Sequence, residues 1–222
     1  MAIRDIFHTP ETIKQHVDSG VWANATLDDY LQQHARERGD KVVLIDHRWR
    51  LTFAELNRLA HRAACGLLQL GITSGDVISL QTPNWAEWLI MHCAATKIGA
   101  VTNSIGAVYR HKEVHYILNY AESVLMLIPE TFRNFSYPDM LSELWPSLPH
   151  LQNILVIGDN APQGMRSFRD FLDTPWEAQY PEGLPASVRP DPHQVATLMF
   201  TSGTTADPKG VMHTHNTMGR GT

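Results

Sequence analysis

Cysteine is nearly missing from this 222-residue chain: there are two, Cys65 and Cys93, each in a helical pattern among apolar neighbours. Two thiols cannot build a disulfide framework, and they read as buried free thiols in a reduced compartment. Long apolar runs are missing too, and none approaches the ~18–20 residues that a membrane span requires. The opening segment, MAIRDIFHTPETIKQH, has no apolar stretch between its charges and no small-residue cleavage site. It therefore does not read as a secretory signal. Asn24-Ala25-Thr26 fits the glycosylation pattern, but without an export signal it is read as a chance match. These absences point to the cytoplasm. A basic surplus is also lacking: the net charge is −5, which argues against a nucleic-acid binder. What is present is ordinary for a folded domain, 43% hydrophobic and 18% charged, with length enough for one or two domains.

Periodicity divides the chain. Residues 1–25 show little and read as an irregular N-terminal arm. Thr26 reads as an N-cap, with Asp28 and Asp29 in the first turn and an apolar stripe of Leu27, Tyr30, Leu31 and Ala35 ending at Gly39. Thr52 and Glu55 form a capping box before Phe53, Leu56, Ala60, Ala63, Leu67 and Leu70 at helical spacing. Further helices are predicted over 84–97, 111–121 and 138–144. Short apolar strands are predicted at Val42–Ile45, Val77–Leu80, Val124–Ile128, Ile154–Ile157 and Val195–Phe200. Strands that are apolar throughout, separated by helices, imply an α/β fold with a mostly parallel sheet covered on both faces. Residues 158–194 are rich in Pro and Gly and read as a long surface connection.

The chemistry concentrates where the last strand ends, in FTSGTTADPKGVMHTHNT. Thr201, Ser202, Thr204 and Thr205 surround Gly203, and Lys209 and Gly210 follow a proline. Glycine lets backbone N–H groups turn tightly towards an anion, the hydroxyls add short donors, and the lysine adds a mobile positive charge. Together they suit a triphosphate. The spacing is not that of the common P-loop, because Gly203 lies six residues before Lys209 and Gly210 comes after the lysine. Two histidine pairs are weaker signals. His111 and His115 share a helix face but lack the glutamate spacing of a zinc peptidase. His213 and His215 share a strand face by spacing, and two nitrogens alone make a poor zinc site. No metal site is assigned. Trp85 and Trp88 read as packing residues.

Residues 200–211 resemble the signature loop of the adenylate-forming superfamily, [YF]-T-S-G-T-T-G-x-P-K-G-V, at every position but one. The resemblance extends upstream through Leu51-Thr52-Phe53-Ala54-Glu55-Leu56, Pro83-Asn84-Trp85, Lys97-Ile98-Gly99-Ala100-Val101 and Glu113 to Leu118. It implies the N-terminal part of the large domain of an acyl-CoA synthetase-like enzyme, with 26–222 an incomplete AMP-binding domain. It further implies two steps, in which a carboxylic acid attacks Mg-ATP to give an acyl-adenylate and coenzyme A then displaces AMP. By resemblance Thr201, Ser202, Gly203, Thr204, Thr205 and Lys209 hold the β- and γ-phosphates. His215 matches a position near the carboxylate pocket, although on its own it also reads as a surface helix-capping histidine.

Two departures stand out. Ala206 replaces the family's usual glycine or serine, which would cost ~1–2 kcal/mol if that position needs φ > 0. The chain is also less than half the family's length and lacks the later Y-G-x-T-E segment, the ribose-binding aspartate and the catalytic lysine. It is therefore expected to be an N-terminal fragment that is inactive alone. A non-catalytic nucleotide-binding or interaction remnant is the alternative, as is an enzyme that loads a carrier protein instead of CoA.

Overall fold

The computed structural model describes residues 8–201 and 208–219. The helices are α1 (Pro10–Asp18), α2 (Leu27–Glu37), α3 (Phe53–Gln69), α4 (Ala86–Ile98), α5 (His111–Tyr120), α6 (Tyr137–Leu144), α7 (Phe168–Asp173) and α8 (His215–Met218). The strands are β1 (Val42–Ile45), β2 (Arg50–Thr52), β3 (Val77–Leu80), β4 (Val101–Ser104), β5 (Leu125–Pro129), β6 (Thr131–Phe132), β7 (Phe135–Ser136), β8 (Asn153–Ile157), β9 (Arg166–Ser167), β10 (Val195–Thr201) and β11 (Lys209–Thr214). Capping explains where the first long helices begin. Thr26 accepts from the Asp29 N–H at 3.1 Å and Thr52 from the Glu55 N–H at 3.3 Å. The Asp29 and Glu55 carboxylates accept from the Thr26 and Thr52 N–H groups in return, closing two capping boxes.

Seven strands form the central sheet in the order β11-β10-β4-β3-β5-β8-β9, parallel throughout except for the antiparallel pair β10–β11. Alternate residues of each inner strand enter different cores. Leu125, Leu127, Leu155 and Ile157 pack with α3, α4 and α7, whereas Met126, Ile128, Ile154 and Val156 pack with α5 and α6. Burial on both faces is why these strands carry no polar alternation.

Three segments differ from the sequence reading. The first is Val42–Ile45, which stays outside the central sheet and pairs antiparallel with β2. Asp46 causes this: its Oδ1 accepts the Arg48 and Trp49 N–H groups at 2.7 Å each, folding the chain back within four residues. Ile45 is left 67% exposed. The second is β4, a strand hidden from the periodicity because its middle residues, Thr102 and Asn103, are polar yet fully buried. The third is 158–194, which is not surface throughout. Ser167 caps α7 by accepting the Asp170 N–H, and Phe168, Phe171 and Leu172 join the core. Trp176 Nε1 donates to the Phe171 carbonyl at 2.6 Å, and Glu177 accepts two N–H groups of Arg62 on α3. Within the arm, Pro10–Asp18 form helix α1, which Thr9 caps and whose first turn holds Pro10.

Gly66 on α3 sits under that segment. A Cβ there would lie 2.7 Å from the Phe171 ring and 2.8 Å from Trp176 Cδ1. Helix propensity alone favours alanine by ~1 kcal/mol, but forcing two packed rings apart costs ~1–3 kcal/mol. Gly66→Ala is therefore expected to lower the urea midpoint despite the gain in propensity. A raised midpoint would show that the α7 segment yields without cost.

Candidate functional site

The candidate loop is carried by a β-hairpin. Strand β10 is buried from Val195 to Leu198 and then climbs out of the core, with Met199 and Thr201 exposed. β11 returns beside it in the register Phe200↔Gly210 and Thr201↔Lys209, and Thr201 Oγ1 donates to the Lys209 carbonyl at 3.5 Å. Gly210 matters in this pairing, because a Cβ would come within 3.0 Å of Leu198 and 3.5 Å of the Phe200 ring. The glycine lets that ring lie across the partner strand.

Thr201 and Lys209 are thus brought opposite each other, both exposed, at the open end of the hairpin. Ser202, Gly203, Thr204, Thr205 and the departure at Ala206 lie outside the described residues. After Lys209 the chain continues as a strand, whereas a P-loop runs into a helix. The element that follows Lys209 therefore contributes no helix dipole, and from this side an anion would meet the Lys209 ammonium.

His215 is placed differently from both sequence expectations about its surroundings. It does not share a strand face with His213, because β11 ends at Thr214, whose hydroxyl caps α8 by accepting the Thr217 N–H at 3.2 Å. Nor is it a surface residue, at 1% exposure. Its Nδ1 accepts the N–H of Leu27, the first residue of α2, at 3.2 Å. That bond requires Nδ1 to be unprotonated. Burial pushes the His215 pKa down to about 4, against the opposing pull of Asp29, Asp28 and Asp191. His92 is also pushed down to about 4, by burial first and by the charge His215 would carry second. His92 Nδ1 lies 2.9 Å from Thr102 Oγ1, so both rings sit in one polar seam beneath β10.

The other candidates are structural in character. His111 Nε2 pairs with Glu143 at 3.1 Å, and His115 Nε2 lies 3.1 Å from the Asn119 amide. Among the described residues no group of three or more His, Cys, Asp or Glu could hold a metal ion. Burial pushes the thiols up, Cys65 to about 11 and Cys93 to about 12, which favours their protonated forms at neutral pH. Trp88 stacks on His92 at 5.0 Å.

One cleft was not foreseen. It has a volume of about 870 Å³ and lies beyond the C-terminal ends of β5 and β8, walled by Trp49, Trp85, Glu130, Phe168 and Arg169. Arg48 lies over Trp85 at 4.5 Å and pairs with buried Glu87 at 3.0 Å. Trp49 Nε1 also donates to Glu87, at 3.1 Å. These residues come from four separate segments and form no local motif, and of them the sequence reading singled out only Trp85, as a packing residue. The cleft adjoins the place where the strand order reverses, with β4 on one side of β3 and β5 on the other.

The two buried imidazoles give a pH dependence of definite sign. Their folded pKa values lie below the ordinary 6.5, so the unfolded chain binds protons more readily. Their contribution is complete above about pH 6.5 and is lost as pH falls towards 4. Chemical unfolding at pH 7 and pH 4.5 is expected to show ~1–3 kcal/mol of lost stability. A His92→Gln/His215→Gln variant should lose distinctly less over the same interval. An equal loss would place the acid sensitivity elsewhere.

A family model described as AMP-binding enzyme matches residues 31–221. The medium-chain fatty-acid–CoA ligase of Escherichia coli (strain K12) is 33% identical over 89% of this chain and 34% of its own length. The salicyl-AMP ligase / salicyl-S-ArCP synthetase of Mycobacterium tuberculosis is 31% identical, again over 89% of this chain and 34% of that protein. Among solved structures, apo MbtA from Mycobacterium smegmatis has a TM-score of 0.82 at 31% identity, covering 95% of this chain and 37% of that one. The chain spans about a third of the length of these relatives. Fold, hairpin and family model agree over the same residues, and the chain belongs to the AMP-binding enzyme family.

Proposed function

We propose that this chain supplies the β- and γ-phosphate side of the ATP site in an acid–thiol ligase. In the first step a carboxylate oxygen attacks the α-phosphorus of ATP, the bond to the β-phosphate breaks, and pyrophosphate leaves. In the second a thiol sulfur, that of coenzyme A, attacks the acyl carbon and AMP departs. The observation that carries the reading is the hairpin register, which sets Thr201 opposite Lys209 at the exposed end of a buried strand, with Ser202, Gly203, Thr204 and Thr205 between them. Donors fixed around the departing pyrophosphate stabilise the charge that develops there. The acid–thiol ligase assignment draws on the E. coli relative's name.

His215, held by its bond to Leu27, is read as a structural acceptor and not as part of an acyl pocket. A carrier protein as acceptor is the second reading, favoured by the name of the M. tuberculosis relative.

The test is carboxylate-dependent exchange of labelled pyrophosphate into ATP in a protein that contains this chain, using acetate to decanoate, cyclohexanecarboxylate and benzoate. Lys209→Ala is expected to lower exchange by roughly 10²-fold or more, as losing one transition-state donor does, with the KM for the acid little changed. Unaltered exchange would remove Lys209 from the phosphate-holding role. The 222-residue chain alone is expected to show no exchange, because positioning accounts for ~7–11 kcal/mol of such barriers. Supplying coenzyme A or a phosphopantetheinyl carrier protein after adenylation distinguishes the two acceptors.

A further inference from the structure

The segment around residues 22–29 is tied to residues 189–216 by contacts spanning most of the chain. Asn24 has a left-handed φ of 54°, and its N–H donates to Asn216 Oδ1 at 3.1 Å. Asn216, 3% exposed, meets His193 Nδ1 through its Nδ2 at 3.0 Å, and its own N–H donates to the Pro192 carbonyl at 3.1 Å. Trp22, 6% exposed, packs its ring against His16 at 4.6 Å and His193 at 6.1 Å. Leu27 N–H reaches His215, and Asp29 pairs with Arg189 at 2.9 Å. These contacts grip both the entry to β10 and the exit from β11.

That grip bears on an edge strand whose own register is weakly specified. Among the described residues β11 pairs on one side only. Its first three residues, Lys209, Gly210 and Val211, are all exposed, so in this half only the fit of Gly210 against Leu198 and Phe200 opposes a slip, and the inward-facing residues, Met212 and Thr214, come later in the strand. A slip of two residues would carry Lys209 ~7 Å along β10, at ~3.4 Å per residue. Something else must hold the strand, and Asn216 lies two residues beyond its end.

We infer that the segment 22–27 is a clamp on the exit of β11, and that Asn216 is the positioning residue through which it fixes Lys209 opposite Thr201. The clamp stands on the contacts above; its bearing on phosphate rests on the function proposed for Lys209.

The test is backbone amide hydrogen exchange of the 222-residue chain, comparing Asn216→Ala with Trp22→Leu, which acts from the arm, where its ring meets His16 and His193. Gly66→Ala, whose clash is with Phe171 and Trp176, is the control for general destabilisation. Both clamp variants are expected to speed exchange in 209–214 by roughly tenfold relative to β5 and β8, the pattern of local opening. The control should speed all three strands together. Unchanged exchange in 209–214 would overturn the clamp, as would a uniform increase in both clamp variants. If Asn216→Ala does not fold, Trp22→Leu decides alone by the same criterion. Inorganic tripolyphosphate then separates the two readings. Protection at 209–211 in the parent chain, weakened several-fold in the clamp variants, supports the link to phosphate. No protection in the parent would defeat the phosphate role of Lys209 and leave the clamp judged by its exchange result.

Discussion

The short parallel ladder between β10 and β4, Thr197 to Met199 against Thr102 to Ser104, is what attaches the candidate loop to the rest of the molecule. Besides the apolar contacts of Val101, Val195 and Leu198, it carries a chain of buried polar bonds. Thr102 Oγ1 donates to the Ala196 carbonyl at 3.2 Å and lies 3.3 Å from Thr197 Oγ1 and 2.9 Å from His92 Nδ1. Asn103 Nδ2 donates to Ser79 Oγ at 2.8 Å, and Ser79 reaches Ser123 at 2.7 Å. Buried polar groups of this kind are expensive to leave unpaired, so a shifted register would cost these bonds, although Asn103 Oδ1 itself has no partner. Strand β10 inherits its position from that seam.

The seam also explains what could be read from the sequence. Inner strands such as β5 and β8 were legible because burial on both faces leaves an unbroken apolar run. β4 was not, because Thr102 and Asn103 look like surface residues until their partners on β3, α4 and β10 are in place. Similarly, α7 lay hidden in a Pro/Gly-rich stretch although Ser167 and Asp170 carry the spacing of a cap. The turn at Asp46 misled in the other direction, since it removes an apolar strand from the central sheet.

At the site itself, the motif was legible as chemistry but not as geometry. Residue types named Thr201 and Lys209, but nothing local said that the chain returns as an antiparallel strand. His215 was legible only as a histidine near a helix start. Its partner, Leu27, lies 188 positions away, beyond the reach of any periodicity. Contacts of that span are matters of tertiary packing, and for the same reason the Arg48–Glu87 pair in the unforeseen cleft left no trace in the sequence.

That distance along the chain also has a meaning in time. A ribosome adding ~5–20 residues per second would deliver His215 about 10–40 s after Leu27. During that interval α2 has its capping box, but the N–H of Leu27 has only water as a partner. The arm therefore stays undocked until residue 215 has been made, as a nascent segment awaiting its receptor. The first long helix of the domain is completed only when the last described helix has been made.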